Sequence, residues 1–256
     1  MSLTVGVPKW WMNTTDAGKK HAATQVVVQS GLLLNLDAGV SDSHSGSGTT
    51  WNDISGKGNT LTATSTPTFS SSGGGSIEFD GTNDLYTINN TFVGSNQIAT
   101  TEANGNYTLE AWINVHTSQG ETTDADSIIG SASNYGVGMQ VGASNDNPRM
   151  NYGSRFTSNF FGSEFSYNTW THVCLSRIGG TSVRAYLNGN FDNDTVVSDL
   201  EVPSGQTIGY MTIGNSSSRV TGFYDGLIAV VRIYNIGLSD DQVKQNFNAL
   251  RGRFGI

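Results

Sequence analysis

Cysteine is almost missing from this chain: Cys174 is the only one in 256 residues, which rules out an internal disulfide framework. Set within an apolar stretch, it reads as a small buried hydrophobe rather than a nucleophile. Long apolar runs are missing too. None approaches the ~18 residues a membrane span needs, so membrane insertion is not expected. The opening Met-Ser-Leu-Thr-Val-Gly-Val-Pro-Lys-Trp-Trp lacks the apolar core of an export signal, and the expectation is synthesis and assembly inside a cell. Basic residues are scarce, with 13 Lys and Arg against 21 Asp and Glu and a net charge of −8. A nucleic-acid binder neutralises phosphates with clustered cations, so nucleic acid is not an expected partner. Four histidines, widely scattered, make no recognisable metal motif.

Glycine is abundant instead, with 32 residues against four prolines, and five Trp, eleven Phe and nine Tyr can fill a sizeable core. Short apolar runs separated by Ser, Thr, Asn and Gly predict an all-β sandwich in one large domain with little helix. Residues 1–30 read as an N-terminal arm and 31–256 as the domain body. The arm carries Lys9, Lys19 and Lys20 against Asp16, and the C-terminal stretch carries Lys244, Arg251 and Arg253 with no acid among them. Cationic ends on an acidic body suit docking onto neighbouring acidic subunits, or are simply solvated. Adjacent Trp10 and Trp11 point opposite ways in an extended arm, so one surface of the chain rarely buries both. They either fold back on the sandwich or enter a partner, and Lys9, Trp10, Trp11, Arg251, Arg253 and Phe254 are the interface candidates.

The clearest local signal is a hairpin over Trp170–Gly189. Val173 and Leu175 alternate before Gly179-Gly180, and Val183, Ala185 and Leu187 alternate after it. A two-residue turn would put the two apolar sets on opposite faces. An odd-length loop is therefore predicted, pairing Val173 with Leu187 and Leu175 with Ala185. Leu32, Leu34 and Leu36 predict one face of a strand, and Leu109, Ala111, Ile113 and Val115 the core face of another, with Glu110 opposite. Asp53 and Ser55, beside Gly56 and Gly58, predict a structural turn rather than a phosphate loop. Asp80, Asn83 and Asp84 could ligate calcium, but no further spaced carboxylates complete a shell, and an Asx-stabilised turn is the preferred reading. No cofactor is expected, with Ca2+ the single candidate. Residues 117–127 read as a long acidic loop. In the aromatic stretch 149–167, Tyr152, Arg155 and Phe161 are the glycan-binding candidates. Ser239 and Gln242 have capping-box spacing for a C-terminal helix with Val243, Phe247 and Leu250 on one face, ending near Gly252.

Several of these stretches resemble one family. W-x-D-x-S-G-x-G-N at Trp51–Asn59, F-D-G-x-x-D at Phe79–Asp84, T-x-E-A-W at Thr108–Trp112, W-x-H-V-x-L-x-R…V-R-x-Y-x-N-G from Trp170, and D-G-x-I-x-x-V-R-I-Y-N at Asp225–Asn235 are similar, in order, to laminin G-like, concanavalin A-like jelly rolls. Ala229 stands where that family often has Asp. The resemblance implies a sandwich of two antiparallel sheets with an N-terminal arm and one short C-terminal helix. Its members include lectins, adhesion modules, glycosidases and phage virion proteins, and G-L-x-L-N-L-D-A-G with N-F-N-A-L-R-G-R-F-G resembles the phage type. It implies a virion structural protein, an outer capsid decoration held by its termini to major capsid or tail proteins, with homo-oligomer contacts and host-surface glycan as further partners. A tail or fibre lectin is the alternative. A glycosidase is disfavoured: retaining enzymes of this fold need two carboxylates ~5–5.5 Å apart, and Glu78-Phe79-Asp80 runs into Gly81 with no third acid. No catalytic residue is assigned.

Overall fold

The computed structural model describes residues 26–88, 106–117, 125–131, 138–144, 147–154, 157–179, 182–196, 211–215 and 222–256. Lys9, Trp10, Trp11 and Arg155 lie outside them. The described strands form two antiparallel sheets. The first contains β1 (Leu32–Asp37), β4 (Thr68–Ser70), β5 (Ser76–Asp80), β7 (Tyr107–Thr117), β12 (Thr171–Ile178), β13 (Ser182–Leu187), β14 (Asn190–Val196) and β16 (Asp225–Tyr234). Its order is β14-β13-β12-β7-β16-β5-β4, and β1 pairs with the upper half of β16, end to end with β5. The second contains β2 (Thr50–Trp51), β3 (Leu61–Ala63), β6 (Tyr86–Ile88), β8 (Asp126–Ser131), β9 (Met139–Ser144), β10 (Asn147–Ser154), β11 (Thr157–Glu164) and β15 (Met211–Ile213), ordered β11-β10-β9-β8-β15-β6-β3-β2. One helix, α1 (Asp240–Phe254), follows.

The main core lies between the sheets, where Leu109, Ala111, Ile113 and Val115 of β7 meet Met139, Val141, Met150 and Ile213. The predicted hairpin register holds: Val173 pairs with Leu187, Leu175 with Ala185 and Ile178 with Ser182, leaving three residues between the strands. The β1 reading needs correction. A register shift between Leu32 and Leu34 sends Leu32 to a separate cluster with Cys174, Tyr186 and Leu238, while Leu33, Leu34 and Leu36 enter the main core. The same device acts on β8, where a shift between Ser127 and Ile129 lets consecutive Ile128 and Ile129 both reach the core. Asp126 and Ser127, assigned from sequence to a loop, begin that strand.

Sequence periodicity left the outer face of the first sheet open; the structure covers it with α1. Trp112, Ala229 and Val230 on that face pack against Phe247 and Phe254, with Trp170 and Leu250 at the rim. The capping box is present: the Ser239 side chain accepts from the Gln242 amide, and Gln242 closes back on the Ser239 amide. The helix does not stop at Gly252. It runs to Phe254, with Gly255 as a left-handed cap, because Phe254 stacks on Trp112 at 4.1 Å and that contact holds the last turn down. Residues 26–30, read as part of the arm, belong to the body: Val28 is buried, and its amide donates to Asn246 Oδ1 at 2.8 Å.

Candidate functional site

Three groupings bear on function, and the first is a sealed ionic cluster beneath α1. Glu110 on β7 lies opposite Arg232 on β16, as the strand register demands, and neither is on the core side. Arg232 Nη1 donates to Glu110 Oε1 at 2.7 Å and its Nε to Asn35 Oδ1 at 3.1 Å. Asn246 Nδ2 donates to Glu110 Oε2 at 2.6 Å and lies 3.0 Å from the Tyr234 hydroxyl. His172 Nε2 approaches Glu110 Oε1 at 3.3 Å, off the line of a good hydrogen bond. Burial alone would raise the Glu110 carboxyl, but Arg232, His172 and Asn246 outweigh it and hold it down at about 2. With Glu110 and His172 at 0 % exposure, this cluster fastens the helix and reaches no substrate.

The second grouping is the Asp80 turn. Asp80 Oδ1 accepts from the Thr82 and Asn83 amides at 2.8 and 3.2 Å, an Asx turn as preferred from sequence. Asp84 Oδ2 accepts from the Asp80 amide at 3.1 Å and its Oδ1 from Ser65 at 2.9 Å. Burial pushes the Asp84 carboxyl up. Asp80 Oδ1 and both Asp84 oxygens thus accept from donors of the turn and of Ser65. Among the described residues no cluster of three or more His, Cys, Asp or Glu could hold a metal. Asp53 is likewise spent on its loop, accepting from the amides of Asn35, Ser55 and Asn59.

The third grouping is on the outer face of the second sheet. On β9 and β10, Met139, Val141 and Met150 face the core, so Gln140 and Asn151 project from the opposite side. Ser127 joins them, since Gln140 Nε2 donates to Ser127 Oγ at 3.1 Å. The register gives one row, Ser127–Gln140–Asn151, across three strands. The β8 bulge puts Gly130 on this face, and Thr212 of β15 pairs with it. Every member of the row is uncharged and buried. Neither amide atom of Asn151 has a hydrogen-bond partner, and Gln140 Oε1 has none. Leaving such a group unpaired costs about 1–3 kcal/mol. Arg149, two residues before Asn151, has its charge matched by Glu164 at 2.7 Å.

The sequence-stretch candidates distribute unevenly. Tyr152 pairs with Met139 and Asn159, on the register next to Asn151, and Phe161 falls on β11 where the pairing to β10 shifts. Arg251 is exposed on α1. Arg253 and Phe254 are occupied internally, a use the terminal charge pattern did not suggest. Arg253 bonds Asp37 Oδ1 and the carbonyls of Gly73 and Gly75, while Phe254 stacks on Trp112 and packs at a tilt against Trp170. Gly39 is required beside them, because a Cβ there would sit 2.6 Å from the Arg253 guanidinium and 2.5 Å from the Gly74 carbonyl. Sequence reasoning missed the amide row, since one polar residue per strand becomes a row only once register is known.

No curated protein sequence matches this chain. Among solved structures it is similar to domain 4 of an extracellular arabinanase from Geobacillus stearothermophilus in complex with arabinotriose (17 % identity, TM-score 0.59, covering 84 % of this chain and 97 % of that one). It is also similar to the binding domain of Paraclostridial Mosquitocidal Protein 1 (16 %, TM-score 0.63, 86 % of this chain and 52 % of that one) and to the receptor-binding domain of botulinum neurotoxin type G (14 %, TM-score 0.60, 85 % and 51 %). The chain thus spans about half the length of these toxin binding domains. At such identities the likeness is one of fold. The family model described as the concanavalin A-like lectin/glucanases superfamily, Laminin_G_3, matches residues 80–244, and with most of the sandwich inside that match the chain belongs to this family.

Proposed function

We propose that this chain is a non-enzymatic phage virion protein, an outer capsid decoration whose lectin-type jelly roll is displayed on the particle surface. The observation that carries the reading is where the body is fastened. Gln245 of α1 donates to the Val26 carbonyl at 2.6 Å and Asn246 accepts from the Val28 amide. The start of the body and its last helix therefore share the outer face of the first sheet, opposite the amide row. A chain tethered from that side to major capsid or tail proteins would present its second sheet outward. Exposed Arg251 on α1 is available to such a partner. The sealed state of Glu110 and the use of Asp80 within its own turn support a non-catalytic role, and no cofactor enters the proposal. Calcium remains at most an accessory at the Asp80, Asn83 and Asp84 turn.

The virion reading is tested by deleting residues 1–25, which leaves Val28 in place, and measuring incorporation into purified particles. The expected result is a folded protein with unchanged melting temperature that no longer incorporates. Normal incorporation would contradict it. The tail or fibre lectin is the second reading, favoured by the likeness to binding domains. It calls for retained incorporation and lost attachment to cells when the second sheet is altered.

A further inference from the structure

We infer that residues 44–48 form an acid-sensitive latch on the edge of the first sheet, closed by neutral His44 and released when its Nδ1 takes a proton. The device goes beyond the assembly role and holds for a capsid or a tail location.

One hydrogen bond fixes the state of the ring. His44 Nδ1 accepts from the Gly46 amide at 3.1 Å, which requires a neutral imidazole with its hydrogen on Nε2. A proton on Nδ1 would set two donors against each other, so the bond cannot survive it. The ring is also enclosed. His44 is 4 % exposed, its Nε2 has no hydrogen-bond partner, and it stacks on Phe69 of β4 at 5.5 Å. Burial lowers its pKa from the ordinary 6.5, and no nearby charge offsets that. The packed strand β4 supplies Thr68, Phe69 and Ser70, none of them ionisable. On the segment leading into the turn, Asp42 is exposed and Asp37 is held by Arg253 at 2.6 Å. The Phe69 ring would attract an imidazolium only weakly, against a lost hydrogen bond and a buried charge.

The surrounding bonds limit what moves. Ser43 is pinned: its carbonyl accepts from the Asn52 amide at 2.7 Å, and its hydroxyl accepts from the Asp37 amide and donates to the Asn52 carbonyl. At the far end the Thr49 carbonyl accepts from the Ala63 amide at 2.8 Å. Gly46, at φ +84°, closes the turn over the same ring as His44, and a Cβ there would lie 3.9 Å from Phe69. Release therefore uncovers Phe69 on β4, a strand that pairs only with β5 among the described residues. The sign follows from linkage. Folded His44 takes its proton less readily than an unfolded one, so the closed turn loses stability as pH falls below about 6.5.

The test uses the full 15N-labelled chain and follows amide exchange of Gly46 and Asn52 by NMR, corrected for intrinsic rate, between about pH 7.5 and about pH 5. Gly46 protection should fall about tenfold or more across that range, while Asn52, bonded to pinned Ser43, stays level. His44→Asn isolates the proton, since its Oδ1 can accept from the same amide and does not titrate there. Gly46 protection in that variant should be flat. Should His44→Asn fail to fold, the wild-type comparison of Gly46 with Asn52 and the titration of the His44 Cε1 proton still decide. The inference is overturned if Gly46 protection stays level, if it falls in step with Asn52, if His44→Asn loses it equally, or if His44 titrates at or above 6.5. Particle incorporation is read separately at neutral pH, so failure here leaves the virion reading standing, and the reverse.

Discussion

Asn246 on α1 donates to Glu110 on β7 at 2.6 Å while its own carbonyl oxygen accepts from the Val28 amide at 2.8 Å. One side chain thus ties three parts of the chain together: the terminal helix, a central strand and the segment that leads into β1. Asn246→Ala leaves a buried carboxylate oxygen and a buried amide unpaired, and should cost roughly 2–4 kcal/mol in chemical denaturation. A cost near zero would mean that water replaces both bonds.

The ion pair gives a pH prediction. Glu110 is held at about 2 in the folded chain against an ordinary carboxyl value of 4.5. A depressed carboxyl contributes stability that is fully present above its unfolded pKa and is lost as pH falls toward the folded value. Unfolding free energy should therefore decline from about pH 5 down to about pH 2. Glu110→Gln, though destabilised throughout, should show a flatter slope in that window. Joint replacement, Glu110→Leu with Arg232→Met, should recover part of the several kcal/mol lost by either alone.

The helix end separates two kinds of terminal residue. Phe254→Ala should destabilise the fold by about 3 kcal/mol or more, because it opens a cavity against Trp112 and Trp170. Arg251→Glu, on an exposed side chain, should leave the melting temperature unchanged and weaken only contacts with acidic partners. Thermal melts of both variants check this, and the opposite ranking would place α1 wrongly.

Much of the fold was legible because strands with one buried face announce their period. The apolar sets in β7 and β12–β13 fixed the facing residues and even the odd hairpin loop. Two things escaped that logic. Bulges at Leu32 and Ile128 break the alternation without a sequence mark, since each places neighbouring apolar residues at similar burial. The cover on the first sheet also escaped. Glu110 was placed on the side opposite the core and so read as facing away, when α1 seals it there with Arg232. Charges at the centres of the two most apolar strands were the available clue, since an ion there needs a partner at the same register. The amide row was hidden for the same reason: Gln140 and Asn151 become neighbours only through the β9–β10 pairing.

Chelation offers a further check. Asp80 Oδ1 and both Asp84 carboxylate oxygens accept from the Thr82, Asn83 and Asp80 amides and from Ser65, bonds that shape the turn without an ion. Adding EDTA should leave the melting temperature unchanged in calorimetry. A fall of several degrees, restored by calcium, would show that an ion completes the turn.

The most direct measurement of the virion proposal is cryo-electron microscopy of purified particles that carry this chain, at a resolution that separates the two sheets. The account predicts density for the jelly roll on the outer capsid surface, with α1 and the first sheet toward the shell and the row Ser127–Gln140–Asn151 on the side facing away. Density on the tail alone, absence from the particle, or a capsid contact made through β8–β10 would contradict it.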